Sequence, residues 1–159
     1  MTAAERQRRL ALRALATAGS LALAPALSRA QPAGGPLLLS LQQMTAPLIG
    51  HAPLRNAGVR LELPALADNG NTVPLRVLVD SPMTADLHVT RIWLLSPRNP
   101  VTQMAVFHLG PWSGRAEIAT RVRLAGTQGV VALARLSTGE YQYAQTEVVV
   151  TESVCLDAG

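Results

Sequence analysis

Only one residue in this 159-residue chain carries a thiol, Cys155, so no disulfide can close within the protein. The thiol is free, modified, or bonded to another molecule. Aromatic side chains are almost as scarce: Trp93, Phe107, Trp112, Tyr141 and Tyr143 are all there are, too few for a surface on which bases or sugars stack. No Gly-rich phosphate loop, Cys-x-x-Cys pair or His-Glu-x-x-His helix occurs, which removes the usual templates for nucleotide, dithiol and zinc-hydrolase chemistry. Of three histidines, His88 and His108 fall inside predicted strands, where a lone imidazole reads as a half-exposed packing residue, because a metal site needs three or four grouped ligands. A copper electron-transfer site would need a histidine, and usually a methionine, soon after the cysteine. Only Leu156, Asp157, Ala158 and Gly159 follow. No metal and no cofactor is therefore expected.

Long apolar runs are missing too. The longest stretch of that kind, Ala14 to Ala24, has eleven residues where a bilayer needs about 20, so no permanent membrane anchor is expected. It lies behind a basic start (Arg6, Arg8, Arg9, Arg13) and ahead of Ser28-Arg29-Ala30, a small-x-small site, which marks residues 1–30 as an export signal cleaved after Ala30. The Arg8-Arg9 pair and the modest hydrophobicity of the Ala-rich core favour a twin-arginine signal and a periplasmic destination. Charge follows the same division. The whole chain has 14 basic residues, all Arg, against 10 acidic ones, but the signal removes five Arg and Glu5, leaving nine of each. The mature protein is formally neutral, and nothing in it points toward nucleic acid or an anionic membrane.

What is present is mostly strand. Residues 31–57 form a leader with a Pro/Gly-rich start, in which Leu37, Leu38, Leu41, Met44 and Leu48 recur at helical spacing and predict a short helix ending near Pro47. It is an apolar lead-in that packs on the sheet. From residue 58 to 150 the period is two: Val59, Leu61 and Leu63, then Val73, Leu75, Val77 and Val79, then Ile118, Thr120, Val122 and Leu124, each set alternating with mostly polar neighbours. Apolar runs at 87–95, 101–109, 130–136 and 141–150 bring the count to about seven strands. The gaps between them hold breakers such as Asp68-Asn69-Gly70-Asn71, Ser81-Pro82 and Asn99-Pro100. Short strands without room for crossover helices predict an all-β, immunoglobulin-like antiparallel β-sandwich. Trp93 and Phe107 belong to its packing and Trp112 to a Gly-Pro-Trp turn. Thr138-Gly139-Glu140 closes a tight hairpin that should anchor the last strand.

That strand is expected to end at about Val150, leaving 151–159 as a flexible C-terminal arm. Five extended residues would let the Cys155 sulfur reach roughly 17 Å from the body. Asp157, Glu152 and the terminal carboxylate disfavour a thiolate, so the thiol should titrate at or above the ordinary ~8.5 and take its reactivity from a receiving protein. A Cys-His catalytic pair is poorly supported, since the base would have to meet a thiol on a moving tail.

The order Asp68-Asn69-Gly70-Asn71-Thr72-Val73-Pro74-Leu75, Val79-Asp80-Ser81-Pro82-Met83-Thr84, Asn99-Pro100, Ala105-Val106-Phe107-His108, Ser113-Gly114-Arg115-Ala116, Thr120 to Ala125 and Thr127-Gln128 closely resembles the SoxY family, the sulfur carriers of bacterial thiosulfate oxidation. The resemblance implies an immunoglobulin-like sandwich paired with a SoxZ-like second sandwich as a heterodimer. It also implies that sulfur intermediates are bound to Cys155 while periplasmic sulfur-oxidation enzymes act on them. Sulfur bonds form and exchange at a thiolate, so one atom is both tether and leaving group. Family carriers end in Gly-Gly-Cys-Gly-Gly, whereas this chain has Ser153-Val154 before and Leu156-Asp157 after the cysteine. It is nearer to a branch with an Ala-Ala-Cys-Ile-Glu arm. Two functions remain open from the residues: a covalent carrier subunit that is not itself an enzyme, or a protein-binding module in which Cys155 is incidental or forms an intermolecular disulfide. Open sheet edges, a hazard in a lone subunit, would call for a partner in either case.

Overall fold

The computed structural model describes residues 39–152. The predicted export signal, its cleavage point, Leu37, Leu38 and Cys155 lie outside the described residues. Helix α1, Leu41–Ile49, opens on a capping box: the Ser40 hydroxyl accepts from the Gln43 N–H at 3.2 Å, and the Gln43 side chain accepts from the Ser40 N–H at 2.8 Å. It runs two residues past its expected end at Pro47. Pro47 removes one helical hydrogen bond, but Leu48 and Ile49 are held by packing on the sheet, and the helix stops instead at Gly50, whose φ of 60° suits glycine.

Nine strands follow: β1 Leu54–Arg55, β2 Val59–Glu62, β3 Leu66–Asn69, β4 Val73–Val79, β5 Val89–Leu95, β6 Gln103–His108, β7 Glu117–Val122, β8 Gln128–Leu136 and β9 Tyr141–Glu152. They form two sheets, one ordered β1-β9-β8-β5-β6 with β3 also beside β9, the other β2-β4-β7. This is the all-β sandwich the alternation predicts. The seven expected strands are β2 and β4 to β9; β1 and β3 are additional, and both pair with β9 in parallel. Asp68 and Asn69, read as turn residues, belong to β3, and the turn begins only at Gly70. His88 likewise falls one residue ahead of β5 instead of inside it.

Between the sheets, Val73, Leu75, Val77 and Val79 of β4 meet Ile92 and Leu94 of β5, Val130, Ala132 and Ala134 of β8, and Val148 and Val150 of β9. Full burial of each such aliphatic side chain is worth about 1.5–3 kcal/mol. The outer face of the larger sheet is covered as well. Trp93, Leu95, Val131, Leu133 and Tyr141 pack there with Met44 of α1, which is why residues 92–95 of β5 and 130–134 of β8 are continuously apolar instead of alternating. Leu136 donates its N–H to Glu140 at 2.9 Å across the expected hairpin, with Gly139 at φ 88°.

The outer face of the smaller sheet is polar. Arg76 of β4 donates to Glu117 of β7 through Nε at 2.9 Å, with Glu62 of β2 3.8 Å from its guanidinium. The hydrogen bond from Arg76 holds the Glu117 carboxyl below its ordinary range. A carboxylate whose folded pKa is depressed stabilises the fold above its unfolded pKa, and that contribution fades as pH falls through the folded value. Glu117→Gln is thus expected to be slightly less stable than wild type at neutral pH, with the gap closing in acid below the ordinary carboxylate range. Denaturant midpoints across that range measure it, and a gap independent of pH would show that the pair contributes nothing.

Candidate functional site

The last strand leads toward the chain's only thiol, and its final residues are gripped from both sides. β9 runs antiparallel to β8 as far as Val148, opposite Gln128, where β8 begins. Beyond that point the hydroxyl of Thr127 replaces a strand neighbour: it accepts from the Val150 N–H at 3.0 Å and donates to the Val150 carbonyl at 3.3 Å. On the other side β3 continues the pairing in parallel, Leu66 opposite Val149, Ala67 opposite Val150 and Asn69 opposite Glu152, and Thr151 donates its hydroxyl to the Asp68 carbonyl. The strand therefore persists two residues past its expected end at Val150, through Glu152, the last of the described residues. Cys155 is the third residue after Glu152, and three residues at full extension span at most about 10 Å.

A knot of polar side chains sets the loops around this exit. Gln128 and Ser96 are buried and hydrogen-bonded to one another. The Gln128 carbonyl also accepts from the Arg98 N–H at 3.2 Å, and its amide donates to Asn99 Oδ1 at 3.3 Å. Asn99 accepts from the Ala125 N–H at 2.9 Å and donates to the Arg123 carbonyl at 2.8 Å. The β5–β6 loop is thereby tied to the β7–β8 loop beside Thr127. A buried network of this kind is stable only when all its members are satisfied. Read as sequence, Asn99-Pro100 is a breaker between strands and Thr127-Gln128 carries no role of its own. Their positioning role was missed, and only their place among the family-like residues signalled it.

The other chemical candidates do not converge. His88 Nδ1 lies 3.0 Å from the Thr84 carbonyl, and His108 closes β6 in solvent. Among the described residues no three His, Cys, Asp or Glu side chains are grouped as metal ligands. Trp112 lies in a short 3-10 turn, Pro111–Ser113, and is 87% exposed. It sits at the far end of the sandwich from the exit of β9. Among the described residues no helix is long and apolar enough to cross a membrane.

Fold and site together define a two-sheet sandwich whose last strand is clamped as the root of a cysteine-bearing segment. The family of sulfur oxidation protein SoxY matches residues 45–155, a span that ends on Cys155, and the chain belongs to that family. It is similar in structure to the sulfur carrier protein SoxY from Chlorobium limicola f thiosulfatophilum, at 28% identity and a TM-score of 0.59, over 70% of this chain and 96% of that one. Superoxide reductases share the fold alone. The neelaredoxin from Ignicoccus hospitalis is 15% identical with a TM-score of 0.52, over 59% of this chain and 80% of its own. The enzyme from Nanoarchaeum equitans is 12% identical with a TM-score of 0.51, over 60% of this chain and 100% of its own. No curated protein matches.

Proposed function

We propose that this protein is a periplasmic sulfur carrier subunit of thiosulfate oxidation, a carrier and not an enzyme, in which Cys155 holds the sulfur while other proteins act on it. The observation that carries this reading is the two-sided clamp on β9. It fixes the strand through Glu152, so that the only thiol of a SoxY-family chain follows three residues behind a rigid root. The chemistry suits one sulfur atom. Joining the Cys155 thiol to thiosulfate gives a cysteine S-thiosulfonate with release of one proton and two electrons, which a redox-enzyme partner must accept. Hydrolysis of that adduct by one water then releases hydrogen sulfate and leaves a cysteine persulfide, with no change in electron count. The same sulfur–sulfur bonding that tethers the intermediate makes it exchangeable.

The export signal at residues 1–30, with cleavage after Ala30, belongs to the same reading. So does a heterodimer with a SoxZ-like sandwich. Two edge strands, β6 of the larger sheet and β7 of the smaller, each paired on one side only, border a cleft of about 450 Å³ lined in part by Met104, Ala105, Thr120 and Val122. Such open edges favour a companion subunit. They also favour the second reading, an assembly module in which Cys155 is incidental.

Intact mass spectrometry of the protein from its native periplasm during active sulfur metabolism tests the proposal. Mass gains corresponding to added sulfur and thiosulfonate, removed by a reducing thiol, are expected. A uniformly unmodified thiol would contradict it.

A further inference from the structure

On the outer face of the larger sheet, next to the exit of β9, stands an apolar pair left about half open to solvent. Leu66 of β3 and Val149 of β9 are directly opposite in register, 57% and 45% exposed. Side chains alternate along a strand, so Asp68 on β3 and Glu147 on β9 share their face. Both carboxylates are exposed, and neither is in an ion pair among the described residues. The result is an aliphatic centre bracketed by two exposed carboxylates. Isolated exposed aliphatics need no explanation, but these two are adjacent to each other and to the strand that leads to the thiol.

We propose that this patch, Leu66 and Val149 flanked by Asp68 and Glu147, is the docking rim for the enzyme that receives Cys155, whose cleft mouth is apolar and bordered by arginine or lysine. The inference rests on the carrier reading above. Its argument is the length of chain beyond the strand. Cys155 is the third residue after Glu152, so a protein that encloses the sulfur must bring its surface within about 10 Å of the end of β9. An ordinary interface of about 800 Å² per partner is a disc of roughly 16 Å radius. Val149 lies three residues, about 10 Å, behind the end of the strand, so an interface centred on the exit covers it together with Leu66. Two exposed carboxylates at its margin attract a basic lip and raise the association rate in a salt-dependent way.

The test uses the full mature chain loaded with persulfide at Cys155, and the enzyme purified from the same periplasm by its ability to remove that sulfur. Leu66→Ser with Val149→Thr, which keeps a β-branched residue in the strand, is expected to lower kcat/KM for sulfur removal about tenfold, through KM, as loss of two interface anchors does. Alkylation of Cys155 by iodoacetamide should stay within about twofold of wild type, because a small reagent needs no docking. Asp68→Asn with Glu147→Gln should raise KM and remove its dependence on salt. Either double variant transferring with the wild-type KM overturns the rim while leaving the carrier reading intact. A wild-type chain that takes up no sulfur at Cys155 overturns both.

Discussion

Cys155→Ser is expected to abolish every sulfur adduct on the chain, and the sulfur-oxidising output that depends on it, while leaving the thermal unfolding midpoint where it was. The substitution exchanges one atom. An alkoxide is not formed at neutral pH and an oxygen does not enter thiol–disulfide exchange, so the chemistry has no residual route. Stability is separate because the last core residues on β9 among the described ones are Val148 and Val150, well before position 155. Surface changes away from core, caps and networks fall within about ±0.5 kcal/mol. Intact mass, sulfate production by the complemented strain, and a calorimetric scan measure the three quantities. Sulfate production at the wild-type rate from the serine variant would decide for the assembly-module reading.

Gly70→Ala is the second large effect. Gly70 is buried between β3 and β4, and a Cβ there would land on the carbonyl oxygen of Leu124, a backbone atom with no rotamer in which to retreat. The same residue accepts the Leu124 N–H at 2.8 Å, a bond that joins the β3–β4 turn to the loop beside Thr127. The variant must push these two segments apart, and overpacking of that kind costs about 1–3 kcal/mol. The damage falls on the root of the arm, since β3 is the strand that pairs with Val149 and Val150. Urea unfolding followed by the emission of buried Trp93 should show the lowered midpoint. Amide exchange at Val149 and Val150 should quicken by more than the global loss of stability explains. An unchanged midpoint with unchanged exchange would mean the turn relaxes freely and is no part of the clamp.

Alternation made seven strands legible because each is long enough to show a buried face: β4 reads Val73, Leu75, Val77 and Val79 inward without exception. β1 and β3 were not legible. Two and four residues carry no period, and only Ala67 of β3 turns toward the core, so their existence depends on β9 as a template. The helix was visible as an apolar lead-in, yet Pro47 suggested too early an end because local propensity was outweighed by packing on Trp93 and Tyr141. Cys155 drew notice by being alone. The clamp behind it did not, since Asn99, Thr127 and Gln128 carry no signal of their own until the β5–β6 loop, the β7–β8 loop and β9 meet.

The twelve residues of β9 span about 40 Å at ordinary strand rise. Its two ends therefore lie at opposite ends of the sandwich, the Thr138-Gly139 turn at one and the exit toward the thiol at the other. A bulky tag or a solid support grafted into that turn would orient every copy the same way, with the reactive pole facing solution.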